Sequence, residues 1–304
     1  MTSAVVFAYH NVGARCLRVV LAHGIEVPLV VTHLDDPRER LWFERVADVA
    51  AKYGIEWLAP DEANARDVVA KIAALKPDFL FSFYYRRMLG PALLAVPSRG
   101  ALNMHGSLLP KYRGRAPVNW AVLNGETETG ATLHYMTAKP DAGDIVAQER
   151  VPILPDETAK DVFDKVTVAA ETALDRILPD LVAGTAPRLA NDVTRGSYFG
   201  GRSPEDGRID WHRSARDIHN LVRAVAPPYP GAFYDVDGRR IEIAKTRVLD
   251  TCPPGAPQSV GMFASGDAAF ARCGDGRCLE IIDARCGDRP LSAGLLATFS
   301  AATR

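Results

Sequence analysis

The chain has 304 residues, with 36 Lys and Arg against 37 Asp and Glu, a formal net charge of -1. This length allows two domains with cores of their own, and the balanced charge speaks against a nucleic-acid partner, whose phosphates usually meet a basic excess. No apolar run reaches the roughly 20 residues that span a bilayer, and the N-terminus lacks a signal peptide's basic flank and cleavage site. A cytoplasmic protein without a membrane partner is therefore expected, and its five cysteines, an odd number, fit reduced thiols better than a disulfide framework.

The first half alternates strand-like and helical patterns, as a parallel sheet covered on both faces requires. Strands are predicted over Ala4–Tyr9, Pro28–His33, Phe79–Phe83 and Ala101–His105. Between them fall helices at about Ala14–His23, Arg40–Tyr53, Ala63–Leu75, Pro91–Val96 and Ala116–Asn124. Two more strands, Ala131–Thr137 and Asp144–Pro152, precede a long helix over Ala159–Ala183, whose apolar positions recur near the helical period. Gly200-Gly201-Arg202-Ser203-Pro204 reads as a connector. After a helix at Ser214–Ala226, five short β-like runs (Ala232–Val236, Ile241–Leu249, Ser259–Ala264, Ala268–Cys273, Cys278–Asp283) suggest a small barrel or sandwich.

The segment Asn103-Met104-His105-Gly106-Ser107-Leu108-Leu109-Pro110 carries the chemistry. Strand side chains alternate with period two, so Asn103 and His105 share a face. An amide donor and an imidazole are the two groups that acyl transfer needs at one carbonyl. Asp141, in the turn Lys139-Pro140-Asp141-Ala142-Gly143-Asp144, could orient the ring and stabilise its charged form, raising the histidine's pKa. Spacing alone favours a structural histidine and an ordinary Asp turn.

Asn103-x-His105-Gly106-Ser107-Leu108-Leu109-Pro110, with Gly114 and Asp141-x-Gly143, resembles the active-site signature of the folate-dependent formyltransferases. The resemblance extends upstream to Phe81–Arg86 and downstream to Tyr229-Pro230-Gly231-Ala232. It implies an α/β fold: a Rossmann-like formyltransferase domain over residues 1–200 and an OB-like β-barrel domain over 201–304. It implies 10-formyltetrahydrofolate as donor and no metal. Residue by residue, it makes Asn103 the oxyanion donor, His105 the proton donor and Asp141 the group that raises the histidine's pKa. Arg87, Met88, Leu89, Arg115 and the stretch Thr137, Ala138, Lys139, Pro140 and Asp141 would then line the folate site.

Within that family the sequence is most similar to the amino-sugar branch. It resembles the formyltransferase domain, acting on UDP-4-amino-4-deoxy-L-arabinose in lipid A modification, of a bifunctional polymyxin-resistance protein. Val5–His10, Thr32-His33, His105–Pro117, Asn119-Trp120 and Asn124–Gly130 carry this likeness. Asn119-Trp120 separates it from methionyl-tRNA formyltransferases, the alternative reading. So does the mixed-charge stretch His33–Arg40, where the tRNA enzymes carry a basic loop. A nucleotide-linked amino sugar is the implied acceptor, with His10, Asn11, Gly13, Asn119 and Trp120 as candidate contacts. No Gly-x-Gly-x-x-Gly fingerprint occurs, so the bifunctional protein's decarboxylation would fall to a separate partner. Two weaker patterns remain. Gly13 alone reads as a tight turn, and the cysteines at 252, 273, 278 and 286 lack zinc spacing and read as thiols. His105, His134 and Asp141 could in principle hold a metal, but a core or strand-face histidine is the plainer reading of His134.

Overall fold

A computed structural model of the protein describes residues 1–36 and 41–299. The chain divides into two compact units, one of residues 1–117, 128–151 and 164–200, the other of 118–127, 152–163 and 201–304.

The first unit is built on β1 (Ser3–Ala8), α1 (His10–Ala22), β2 (Glu26–Val31), α2 (Val46–Lys52), β3 (Glu56–Leu58), α3 (Arg66–Ala74), β4 (Phe79–Phe83), α4 (Pro91–Leu94) and β5 (Gly100–His105). Next come β6 (Arg113–Gly114), α5 (Pro117–Leu123, from Val118 part of the second unit), β7 (Glu128–Tyr135), β8 (Ile145–Pro152), α6 (Ala159–Ala183, in the first unit from Asp164) and β9 (Tyr198–Phe199). The seven-stranded sheet runs β3-β2-β1-β4-β5-β7-β8. Its first five strands are parallel, and β7 lies antiparallel to β5. This Rossmann-like order reverses direction between β1 and β4, the point at which open α/β sheets bind ligands beyond their strand ends. Burial on both faces explains the predominantly apolar runs: Ala4 to Ala8 and Phe79 to Phe83, with Ser82 the one polar residue, are all buried. Along β4, Phe79, Phe81 and Phe83 stack at 5.6 and 5.5 Å. A separate two-stranded pairing of β6 with β9 ties residues 113–114 to 198–199.

The second unit contains α7 (Ala215–Val225), β10 (Ala232–Val236), β11 (Arg239–Val248), β12 (Gly261–Ser265), β13 (Ala268–Arg272), β14 (Cys278–Cys286), β15 (Arg289–Pro290) and α8 (Ala293–Leu296). Its antiparallel sheet has the order β10-β11-β14-β13-β12, with β15 on β14. Register shifts between Ile243 and Thr246 bend β11 against β14 and curl the sheet. α7 starts at Ser214, whose Oγ accepts the Asp217 N–H at 3.1 Å. Its Ile218, Leu221, Val222 and Val225 enter a core shared with Ile241, Ile243 and Leu279.

Several sequence expectations need correcting. α1 begins at His10 rather than Ala14, so Gly13 is helical, not a turn. A Cβ there would lie 3.1 Å from Ala8 Cβ and 3.1 Å from Val46 Cγ2, so the glycine lets the helix sit close to β1. β3 was not expected, because three edge residues show no alternation long enough to read. Cys252 and Cys278 form a disulfide, while Cys16, Cys273 and Cys286 are free thiols. The fully reduced set expected from the odd count therefore does not hold. Pro37, Arg38, Glu39 and Arg40, which end the mixed-charge stretch and begin the predicted second helix, lie outside the described residues.

Candidate active site

β5 presents Asn103 and His105 from one face, and the antiparallel β7 places His134 opposite Asn103 and Thr132 opposite His105. His105 is 6% exposed and His134 1%. His105 Nε2 lies 2.8 Å from the Tyr112 carbonyl oxygen. A carbonyl only accepts, so this nitrogen carries the hydrogen, and in the neutral ring Nδ1 is the basic atom. Nδ1 faces Asp141 Oδ1 at 3.5 Å, and His134 Nε2 meets the same oxygen at 3.5 Å. Asp141 Oδ2 accepts the Gly114 N–H at 2.8 Å.

Burial alone would raise the Asp141 pKa. The His105 charge, chief among the opposing contacts, and the Gly114 N–H outweigh it and hold the carboxyl well below the usual carboxylate range. A fixed negative charge therefore stands beside a buried imidazole whose basic nitrogen faces it. The motif's glycines have a steric cause. Gly114 has φ +98° and its Cβ would fall 2.1 Å from the Phe199 carbonyl oxygen, while a Cβ on Gly143 would fall 2.0 Å from that of Tyr135.

Among the described residues seven non-glycine residues have positive φ, and five of them, His10, Tyr84, Tyr112, Ala116 and Asp141, closely follow β1 and β4 or lie in the loops after β5 and β7. Each such residue costs roughly 1–3 kcal/mol and persists only where its surroundings impose it, as binding and catalytic sites do. Two of them, Tyr112 and Asp141, are the partners of His105. Their loops are held from a distance. The Asn191 amide nitrogen donates to the Asp141 and Gly143 carbonyls at 3.0 and 3.2 Å, and Ser197 Oγ accepts the Tyr112 N–H at 2.8 Å.

The other predicted site residues divide by location. Arg87 donates to the Pro60 carbonyl at 3.0 Å, and Asn64 clamps Met88 and Gly90 through its amide. Leu89 is buried in a cluster with Leu93, Ala101 and Tyr85. The Tyr85 hydroxyl, also buried there, has no hydrogen-bond partner among the described residues. Arg115 and Thr137, Ala138 and Lys139 are exposed, with Pro140 and Asp141 half-buried. His10 packs against Phe43 at 4.1 Å and Trp42 at 4.4 Å, and Asn11 Oδ1 accepts the Glu44 N–H at 2.8 Å. Asn119 and Trp120 belong to the second unit, where Asn119 donates to the Ala224 carbonyl at 2.8 Å and the Arg202 guanidinium lies 4.8 Å over the Trp120 ring. Sequence reading missed the Tyr112 carbonyl, Asn191 and Ser197, and it left His134 as a bystander. The alternation of β7, with His134 two residues from Thr132, was the available signal for His134. Among the described residues no cluster of three or more His, Cys, Asp and Glu could hold a metal ion, and no helix is long and apolar enough to cross a membrane.

A buried imidazole, a carboxylate and an amide thus gather at the end of a Rossmann-like strand, an arrangement chemically able to move protons beside a carbonyl. Residues 10–178 match the formyl transferase model and residues 202–297 the formyl transferase C-terminal domain. The chain belongs to the formyl transferase family. Its fold is shared with an N-formyltransferase from Helicobacter canadensis, solved with folinic acid and dTDP-3-aminofucose, at a TM-score of 0.72 and 19% identity over 96% of this chain and 100% of that one. WlaRD, a sugar 3N-formyl transferase solved with dTDP and 5-N-formyl-THF, gives 0.73 at 17% identity over 95% and 99%. A 4-N formyltransferase from Francisella tularensis gives 0.66 at 21% identity over 80% and 96%.

Proposed function

We propose that this enzyme moves a formyl group from 10-formyltetrahydrofolate to the amine of a nucleotide-linked amino sugar, with UDP-4-amino-4-deoxy-L-arabinose as the acceptor. The observation that carries this reading is the convergence of Asn103, His105 and an ionised Asp141 in a chain of the formyl transferase family. Relatives of the same fold were solved with folate derivatives and with dTDP or a dTDP-amino sugar. The likeness through Asn119-Trp120 and Asn124–Gly130 favours the arabinose acceptor, which would place the enzyme in the cytoplasm in lipid A modification and polymyxin resistance.

The residues present fit such a donor. Beside Leu89 the buried Tyr85 hydroxyl has no hydrogen-bond partner among the described residues, a polar atom that a ring system with a polar edge would satisfy. Arg87, Met88, Leu89, Arg115 and Thr137 to Asp141 would hold it, and it brings an electrophilic formyl carbon. Asn103 donates to the oxygen on which charge develops, a contact worth roughly 3 kcal/mol of barrier in comparable sites. His105 Nδ1 takes the proton lost by the attacking amine and returns one to the departing nitrogen. The charge this places on the ring is met by Asp141, 3.5 Å away.

Tetrahydrofolate release, measured against UDP-4-amino-4-deoxy-L-arabinose, dTDP-amino sugars and methionyl-tRNA, tests the acceptor. The highest kcat/KM is expected for the UDP-arabinose. A higher value for a dTDP sugar corrects the sugar, and one for methionyl-tRNA overturns the class. His105→Ala should abolish turnover while donor binding remains, and near-normal turnover would remove His105 from the reaction.

A further inference from the structure

His134 has a use that neither the proton transfer nor the oxyanion contact assigns to it. It is 1% exposed, so solvent does not satisfy its ring. Its Nδ1 lies 2.8 Å from the Tyr135 carbonyl oxygen and must carry the hydrogen. The neutral ring then keeps a lone pair on Nε2, 3.1 Å from Asn103 Nδ2 on the residue directly across the strand pair. Asp141 Oδ1 is farther from that nitrogen, at 3.5 Å, so the amide is its hydrogen-bond partner.

An amide nitrogen only donates and an amide oxygen only accepts. The lone pair of His134 therefore decides which end of Asn103 faces β7. Turned by 180°, Asn103 would set its oxygen against that lone pair and lose the bond. In the observed orientation one N–H is spent on His134. The second makes no hydrogen bond among the described residues and is left for a ligand.

We infer that His134 is a positioning residue: by accepting from Asn103 it keeps the amide turned so that a donor is presented to the developing oxyanion. This rests on the reading of Asn103 as the oxyanion donor. The inference explains why a histidine occupies an interior strand position where an apolar residue would pack at lower desolvation cost.

The test is steady-state kinetics of His134→Gln, His134→Asn and His134→Leu beside Asn103→Ala, each with a thermal unfolding midpoint. Gln places an accepting oxygen near the site of Nε2, whereas Asn reaches only the site of Nδ1. His134→Leu and His134→Asn should lose about 10²-fold in kcat with donor KM within about threefold, the scale of a lost or misaimed oxyanion donor. His134→Gln should recover to within about fivefold of wild type. The double variant of Asn103→Ala with His134→Leu should turn over no more slowly than Asn103→Ala alone. If Asn103→Ala keeps wild-type kcat, the oxyanion reading itself falls. If Asn103→Ala loses turnover but His134→Leu does not, or if Gln rescues no better than Asn, only the positioning role is overturned. A kcat loss in His134→Leu that follows its unfolding midpoint and vanishes at lower temperature likewise makes His134 a packing residue.

Discussion

Replacing Asp141 by Asn is the most direct probe of the electrostatics at the centre of the site. Asn is nearly isosteric, and its Oδ1 can still accept from the Gly114 N–H, so the turn is kept and only the charge is removed. The carboxylate lies 3.5 Å from His105 Nδ1. Two unit charges at that separation interact by about 5 kcal/mol at an effective dielectric of about 20. The Asp141 side chain is 13% exposed. Allowing for about half of that interaction to be screened, some 2–3 kcal/mol of support for the protonated ring is lost. At about 1.4 kcal/mol per decade this corresponds to a fall of roughly 10² in kcat. Tetrahydrofolate release at saturating donor and acceptor measures it, with an unfolding midpoint to show that the fold is intact. A folded variant whose kcat falls by less than about fivefold would refute the idea that this carboxylate acts by its charge. The same substitution has a stability signature. A carboxyl held below its usual range contributes stability that is present above about pH 4 and lost as pH falls toward the folded-state value. The acid limb of the wild-type stability curve should flatten in the variant.

His33 gives a second pH effect. Burial, helped by the charges of Arg87 and Arg86, lowers its pKa to about 4, and its Nε2 accepts the Arg86 N–H at 3.0 Å. The unfolded chain takes up this proton near pH 6.5 while the folded one refuses it until about 4. Stability should therefore be full above pH 6.5 and decline by about 1–2 kcal/mol down to pH 4, after discounting for partial exposure. His33→Gln, unfolded in urea across that range, should remove the decline, and an unchanged slope would refute the assignment. Reduction of Cys252–Cys278, which are 26 residues apart in sequence, should cost up to about 3–4 kcal/mol by loop entropy. Thiol titration of the unfolded, unreduced protein should find three thiols of the five cysteines, and five would refute the bridge. Gly114→Ala meets both a positive φ and the Phe199 carbonyl. It should destabilise the protein by about 2–4 kcal/mol and lower turnover as well, and a neutral result in both assays would refute the packing described there.

The amino-acid order made much of this architecture readable. α6 spans Ala159–Ala183, the range its periodicity predicts, because a 25-residue amphipathic pattern averages out local ambiguity. β5 was equally legible, and period two alone put Asn103 and His105 on one face. The start of α1 was not, because a helix opening on a residue with φ +67° reverses the usual N-terminal signals. The role of His134 lay hidden because it depends on which residue stands across the strand pair, a tertiary fact. The same holds for Asn191, Ser197 and the Cys252–Cys278 bridge, whose partners are far apart in sequence. What stayed unread is long-range pairing, which short-range pattern does not encode.

The small pairing of β6 with β9 has a consequence for how the enzyme comes into being. Every residue proposed to take part in the reaction has been synthesised once the ribosome passes Asp141. The Tyr112 carbonyl that fixes the His105 ring, however, sits in a loop latched by Ser197 and by Tyr198–Phe199. For almost 60 further residues the nascent chain would carry the full set of reacting groups without the latch. On the proposed mechanism, competence would wait for the closing of that latch, and the site would mature long after its sequence has been written.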